Sequence, residues 1–213
     1  MHKIENHILS TLVHRAKARY RDIKPPTVEG NHFMYYLKKL ISKDLVAKTN
    51  DHYHLTPTGK AFADKLSLKS FQPRIQPKIV TLIIVFNEDG QQLLYQRQKQ
   101  PFIDLIGFPY GKIHLGESIL TAANRELKEK TGIKADLNHV GDSYITVYEQ
   151  NELVSQMLAH VFVGHHPTGK PKNSFWGTLS DYPTKEVLPA NQDLLKLATS
   201  NTHFFIEKTI KNL

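Results

Sequence analysis

Two glutamates, Glu126 and Glu129, have the spacing that points most directly to chemistry in this chain. Residues 118–131 are predicted to form one helix, because their apolar residues recur at intervals of three and four. Side chains three apart share a helix face, so both carboxylates point the same way. Carboxylate oxygens are the ligands that Mg²⁺ or Mn²⁺ prefers, and such ions bridge diphosphate oxygens and activate water. Alone, however, two glutamates on a helix face are usually only solvated.

The two glutamates belong to a longer pattern, GKIHLGESILTAANRELKEKTGI, which occupies residues 111–133. This pattern resembles the Nudix box, in which glycines, glutamates, an arginine and apolar residues recur at fixed spacing. Eight of its nine defined positions are matched here. The matching residues are Gly111, Glu117, Arg125, Glu126, Leu127, Glu129, Gly132 and Ile133.

The resemblance implies a fold of the α+β class over residues 78–213, a Nudix α/β/α sandwich with a mixed sheet. It implies a hydrolase that cleaves a nucleoside diphosphate linked to another moiety. The catalytic residues would be Glu126, Glu129, Arg125 and Glu117, of which the last two form an ion pair that holds the loop to the helix. The metal ligands would be Glu126, Glu129 and the carbonyl of Tyr110.

Two glycines at the ends of the motif have expected backbone roles. Gly111 is expected to give the loop a conformation that other residues avoid. Gly132 lies where a helix C-cap glycine is expected.

Lys130 is the one departure from the box, because a second glutamate belongs there. It follows Glu126 by four residues and projects near the same face, where a protonated lysine cannot ligate a metal. We therefore expect a weakened Mg²⁺ or Mn²⁺ site. Either the substrate brings its own metal or another carboxylate completes the site. The carboxylates considered are Glu149, Glu152, Asp181 and Glu186, with Glu186 first as general base.

In the Nudix family, which this sequence resembles, substrate choice depends on loops whose positions cannot be predicted from this sequence. His114 stands where many relatives carry another carboxylate and is expected to be a loop surface residue. ADP-ribose, dinucleotides, dNTPs and nucleotide sugars all remain open. The aromatic residues that could stack a base, and could equally be core, are Phe102, Phe108, Tyr110, Phe175 and Trp176.

The elements around the motif follow from local patterns. Strands are predicted at 79–86 and 91–97, joined by a tight turn at 87–90, and near 135–141, 143–150 and 153–163. Residues 191–200 and 203–211 are expected to form C-terminal helices.

The basic excess of the chain lies in its first third. Residues 1–75 carry 14 Lys and Arg against 6 Asp and Glu, whereas residues 76–213 carry 14 of each. Such asymmetry suggests a nucleic-acid-binding module, although in an average small domain it usually marks an ordinary solvated surface. The fold resemblance of the same residues shifts the choice toward nucleic-acid binding.

Residues 1–68 resemble a winged helix-turn-helix, and 69–77 are predicted to be a linker. Helical spacing covers 3–20, 29–43 and 57–66, and short strands are predicted at 45–48 and 52–55. The resemblance rests on the stretch YYLKKLISKDLVAKTNDHYHLTPTGKAF. It implies double-stranded DNA as a partner, with the second helix in the major groove. The outward residues would be Asn31, His32, Tyr35, Lys38 and Lys39.

Composition places limits on the remaining classes of function. The chain has no cysteine, which excludes disulfides and cysteine zinc sites. No apolar run is long enough for a membrane span, and the charged start is unlike a secretory signal, so a cytoplasmic location is expected. The Nudix resemblance implies a homodimer, because many members of that family form dimers. Two alternatives to the hydrolase stay open. One is a transcriptional regulator that senses a nucleotide metabolite, and the other is an RNA-processing enzyme.

Overall fold

A computed structural model describes residues 1–67, 70–200 and 202–211. The chain divides into two units, Met1–Gln76 and Pro77–Leu213. The sequence-based boundaries at Leu68 and Lys69, and the end of the second domain at Leu213, lie outside the described residues. Within the described ranges, no helix is both long enough and apolar enough to cross a membrane.

The first unit consists of helices around a small antiparallel sheet. Its elements are α1 (Lys3–Val13), β1 (Ala18–Arg19), α2 (Tyr20–Ile23), α3 (Gly30–Ser42), β2 (Val46–Thr49), β3 (His52–Leu55) and α4 (Pro57–Asp64). The strands pair in the order β1-β3-β2. Ile8 of α1 and Phe33 and Leu37 of α3 are fully buried between these elements. The unit therefore has a hydrophobic core of its own.

The first helix is shorter than its periodicity predicts. The helix expected over 3–20 ends at Val13, where the side chain is exposed and the buried face stops. Ala18 and Arg19 pair with β3 instead, and Ala18 is buried by that pairing. Backbone pairing with the sheet thus replaces the last predicted turns.

The second unit is built on a mixed five-stranded sheet. Its elements are β4 (Lys78–Val85), β5 (Gln92–Gln96), β6 (Ile106–Gly107), β7 (Tyr110–Lys112), α5 (Ile119–Thr131), β8 (Lys134–Glu149), β9 (Glu152–Thr168), β10 (Phe175–Gly177), α6 (Asn191–Ala198) and β11 (Phe204–Lys211). The large sheet has the order β11-β8-β9-β4-β7, and β10-β5-β6 form a smaller one. Strand β4 is parallel to β9, and β11 is parallel to β8, while the other pairs of the large sheet are antiparallel.

A helix packs on each face of the large sheet. Ala123 and Leu127 of α5 contact Ile83 and Phe162 on one face. On the other face, Leu194 of α6 belongs to the cluster around Leu82, Val161 and Ile145. The arrangement confirms the predicted α+β class with a mixed sheet between helices.

Two predictions about the second unit are wrong. Residues 203–211 were expected to be helical, but Phe204–Lys211 form β11, whose side chains alternate between half-buried and exposed. This strand pairs in parallel with Gly141–Tyr148 of β8, so its alternate residues reach the core. The two strands predicted within 135–150 are one continuous strand, β8, which a bulge bends without ending.

Candidate active site

Arg125, in the middle of α5, is the centre of an ion-pair network. Its Nε and Nη2 donate to Glu117 Oε1 at 2.6 Å and Oε2 at 2.8 Å. Its Nη1 donates to Glu126 Oε1 at 2.8 Å, and Nη2 also donates to the Lys112 carbonyl at 3.1 Å. The bonds from Arg125 hold the pKa of Glu117 at about 2. A two-pronged guanidinium–carboxylate contact fixes orientation as well as charge, so this pair fastens the loop to the helix.

Gly111 makes room for the Glu126 carboxylate. A Cβ at position 111 would lie only 1.8 Å from Glu126 Cδ, and the glutamate side chain is 10% exposed. The expected role of Gly111 is therefore wrong, because Gly111 is not among the residues with positive φ. Glycine is required here because any side chain would overlap with the Glu126 carboxylate. Gly132 does have the expected left-handed conformation, with φ of 73°, and it ends α5.

Lys130 occupies the position between two oxygens assigned to a metal by the resemblance. Its Nζ donates to the Tyr110 carbonyl and lies 3.5 Å from Glu126 Oε2. Burial lowers the pKa of Lys130, and the neighbouring Glu126 carboxylate opposes that shift. Lys130 therefore places a basic group, paired with the Glu126 carboxylate, at this end of the site.

The oxygen atoms at this site do not fit a divalent metal ion that is bound before the substrate arrives. The Glu126 carboxylate is shared by Arg125 and Lys130, and the Tyr110 carbonyl accepts from Lys130. Glu129 is less engaged, since its side chain is 61% exposed and lies 3.4 Å from Arg125 Nη1. Mg²⁺ is usually bound by one or two carboxylates together with substrate phosphates. The positive charges of Arg125 and Lys130 repel a metal cation and so disfavour its binding at Glu126.

A cleft of about 650 Å³ opens beside this network. Its lining carries five basic side chains against two carboxylates, Glu126 and Glu129. The basic residues are Lys78, Arg97, Lys99, Lys112 and Lys130. A cleft with such an excess of positive charge concentrates anions. Of these five residues, the sequence predicts only Lys130 as part of the site. The alternation of Arg97 and Lys99 directly after β5 is the sequence pattern that could have indicated two of the others.

Tyr95 and Tyr110 form part of the same cleft wall. Arg97 donates through Nη1 to the Tyr110 hydroxyl and through Nε to the Pro101 carbonyl at 2.6 Å. The Tyr95 hydroxyl is buried and has no hydrogen-bond partner among the described residues. Burial raises the pKa of Tyr95, so its proton stays in place. Tyr95 therefore has an unused donor in this wall.

The other candidate residues lie apart from this cleft. Its described lining includes none of Glu149, Glu152, Asp181 or Glu186. Glu149 and Phe102 line a second cavity of about 730 Å³ instead. Phe108 is fully buried and is unavailable for stacking on a ligand, while Phe175 and Trp176 are half-buried in β10. His114 is exposed in the loop, with its backbone N–H donating to Glu117.

The five residues expected to face nucleic acid lie on α3 of the first unit. Four of them, Asn31, His32, Tyr35 and Lys38, are exposed. Lys39 is half-buried, and its Nζ lies 3.6 Å from Glu5 Oε1. Helix α3 therefore offers a polar and aromatic surface to solvent.

Comparisons with known proteins concern the second unit. Residues 76–203 match the family described as NUDIX domain. An 8-oxo-dGTP diphosphatase of Haemophilus influenzae is 30% identical over 126 residues, which are 58% of this chain and 92% of that protein. An ADP-ribose pyrophosphatase of Methanocaldococcus jannaschii is 30% identical over 79 residues, 35% of this chain and 46% of that protein.

One solved structure illustrates the likeness in fold. The MutT NUDIX hydrolase of Burkholderia pseudomallei superposes with a TM-score of 0.51 at 23% sequence identity. The match covers 59% of this chain and 100% of the other. At this level of identity the likeness concerns the fold alone.

Proposed function

Because the chain belongs to the NUDIX domain family through residues 76–203, we propose that its cleft binds a nucleoside diphosphate linked to another moiety and hydrolyses the pyrophosphate bond slowly. The observation that carries the proposal is the cleft itself, which is lined by five basic side chains together with Glu126 and Glu129. Pyrophosphate is a compact polyanion, and guanidinium and ammonium groups are its usual protein partners. The names of the two relatives, a diphosphatase and a pyrophosphatase, agree with this class of substrate.

The chain's own residues divide the work in this proposal. Lys78, Arg97 and Lys112 neutralise the pyrophosphate oxygens, because all three line the cleft. Lys130 adds a further positive charge at the Tyr110 carbonyl. Glu129, which is exposed and only loosely paired, accepts a proton from the attacking water. Hydrolysis is slow because Lys130 stands where this family has a glutamate.

Binding and turnover measured together test the proposal. Calorimetry with ADP-ribose, a dinucleotide and 8-oxo-dGTP should detect binding of at least one compound by the wild type without added Mg²⁺. With Mg²⁺, Lys130→Glu should raise turnover on the order of tenfold or more, because exchanging the charge changes the electrostatic energy by a few kcal/mol.

Lys130→Met is the matched control, since it removes the charge without adding a carboxylate. Its turnover should lie between those of the wild type and Lys130→Glu. Failure of the wild type to bind any of the three compounds would refute the proposal. Rapid wild-type turnover that Lys130→Met abolishes would refute the inhibitory role of Lys130.

A second candidate function is nucleic-acid binding by the first unit, which would make the chain a nucleotide-responsive regulator. The supporting observations are the surplus of eight basic charges in residues 1–75 and the exposed face of α3. Backbone phosphates provide most of such affinity, so binding should weaken steeply as salt is raised. Glu129 is only weakly paired, and Lys130 is held at the Tyr110 carbonyl where the family has a glutamate. Both features favour slow hydrolysis, so the domain would keep its nucleotide bound for longer than a fast enzyme would.

Fluorescence anisotropy with duplex DNA tests this second function. Lys38→Glu on α3 should weaken binding on the order of tenfold at low salt. Lys185→Glu, an equal charge change at an exposed residue of the second unit, should have little effect. Equal effects of the two variants would show that α3 is not the contact surface. Tighter binding of single-stranded RNA than of duplex DNA would favour RNA processing instead.

A further inference from the structure

Three metal-ligating side chains converge on the large sheet outside the cleft. Asp142 Oδ1 lies 3.0 Å from His139 Nε2 and 2.7 Å from His160 Nδ1. One potential ligand atom from each residue lies within 4.8 Å of the other two. The side chains are 27%, 27% and 21% exposed for Asp142, His139 and His160, so an ion from solvent can reach them.

A β-bulge brings the three side chains to one face of the sheet. Asp142 is directly opposite His160 on the antiparallel strand β9, so these two share a face. His139 precedes Asp142 by three residues, and in a regular strand that spacing would put them on opposite faces. The register shift between His139 and Gly141 adds one residue and turns His139 to the same face. Bulges of this kind often re-aim side chains beside functional sites.

The ligand chemistry of the group suits a zinc-class ion better than Mg²⁺. Two imidazole nitrogens and one carboxylate are common ligands of Zn²⁺ and other first-row transition metals. Burial alone would raise the pKa of Asp142, but the hydrogen bonds from His160 and His139 outweigh it and lower that pKa. Ligand atoms in a tetrahedral zinc site lie about 3.3 Å apart. The separations of 3.0 and 2.7 Å here need to open by about 0.3 and 0.6 Å to reach that value.

Further groups surround the three ligands. The His203 ring, exposed just before β11, has its centroid 5.1 Å from that of His139. The buried Phe162 ring lies 5.2 Å from His139 and forms an apolar floor. Thr81 pairs with His160 in the parallel register, so its side chain is on the same face. Its hydroxyl is fully buried and has no partner among the described residues.

From this geometry we infer that His139, Asp142 and His160 form a binding site for a divalent transition-metal ion of the zinc class. The fourth coordination position is open to water or to the imidazole of His203. The ion would join β8 to β9 on the face that carries α5. This site is separate from Glu126 and Glu129 and does not depend on the proposed hydrolysis.

Binding of Zn²⁺ and Co²⁺ to the purified full-length chain, without an affinity tag, tests the inference. Equilibrium dialysis should give one tightly bound Zn²⁺ per chain, and Co²⁺ should give the intense visible absorption of tetrahedral coordination. The His160→Gln and Asp142→Asn variants should each lose that ion and that spectrum. Circular dichroism and Tm without metal establish that each variant is folded, and His139→Gln serves as a second variant if one is not.

A matched control separates this site from general binding by histidines, of which the chain has 12. His166 Nδ1 lies 3.1 Å from Asp136 Oδ2, but both side chains are more than four-fifths exposed, and no third ligand from the described part of the chain completes the group. His166→Gln and Glu126→Gln should each retain the tight ion. Equal Zn²⁺ binding by the wild type and His160→Gln, or loss of the ion from Glu126→Gln alone, would overturn the inference.

Discussion

At the scale of single residues, charge decides how the cleft can be used. Arg125 and Lys130 both contact Glu126, so two cations share a carboxylate that the family motif gives to a metal. The sequence alone predicts the anomaly at residue 130, because the motif fixes the spacing. It does not predict the contact with the Tyr110 carbonyl, because that contact depends on where β7 lies beneath α5.

Glu117 should give a measurable pH dependence of stability. Its pKa is lowered in the folded chain from 4.5 to about 2, so the stabilising contribution is complete above pH 4.5. That contribution is lost as pH falls from 4.5 toward 2, where the carboxylate is protonated in both states. Glu117→Gln should therefore lower Tm at pH 7, and the difference from the wild type should shrink across this window in thermal unfolding followed by circular dichroism. A Tm difference that stays constant down to pH 2.5 would contradict the assignment.

Gly111 should tolerate no side chain. Gly111→Ala places a methyl group within 1.8 Å of Glu126 Cδ and must displace that carboxylate. We expect a loss of about 1–3 kcal/mol in unfolding free energy and weaker nucleotide binding, measured by denaturant titration and calorimetry. Gly177→Ala is the control, because its added Cβ would have ordinary contacts at 3.4 Å and beyond. Similar losses in both variants would mean that the effect is not specific to the glutamate.

At the scale of elements, α5 is the best-predicted part of the chain. Ser118 caps its start by accepting from Thr121 N at 3.1 Å, and Gly132 ends it, so local residue types determine both ends. The sequence predicts a helix where β11 lies, because the apolar residues Phe-Phe-Ile at its start show neither a clear helical nor a clear strand periodicity over eight residues. Its parallel partner lies about sixty residues earlier, and no local pattern reports such a pairing.

Neighbouring residues of β11 should differ sharply in their contribution to stability. Ile206 packs against the core of the second unit, whereas Phe205 on the opposite face is 67% exposed. Ile206→Ala should cost about 1–2 kcal/mol and lower Tm by a few degrees. Phe205→Ala should change stability by no more than about 0.5 kcal/mol. Equal costs, measured by thermal unfolding, would be inconsistent with an alternating strand.

At the scale of the whole molecule, the chain joins two units with separate cores and unequal charge. The charge asymmetry is visible in the sequence, because it needs only a count of residues. The basic lining of the cleft is not, since Lys78, Arg97 and Lys112 come from three different strands or strand ends. The group of His139, Asp142 and His160 was missed for a related reason, because a bulge changes which side chains share a face.

The proposed nucleotide binding should require only the second unit. A fragment of residues 77–213 contains the whole described lining of the cleft, so its affinity for a nucleotide that binds as proposed should stay within about twofold of that of the full chain. Calorimetry on both forms measures this directly. A folded fragment that has lost the affinity would show that the basic unit contributes to ligand binding.

The position of the Lys130 side chain also has a genetic consequence. Codons for lysine and glutamate differ only in their first base, so a single purine transition would replace the ammonium by a carboxylate. The Tyr110 carbonyl and the Glu126 carboxylate already lie beside that side chain. Replacing Lys130 by glutamate would therefore need no accompanying change in the scaffold. A library mutated at random and selected for faster pyrophosphate cleavage should recover this transition early and repeatedly.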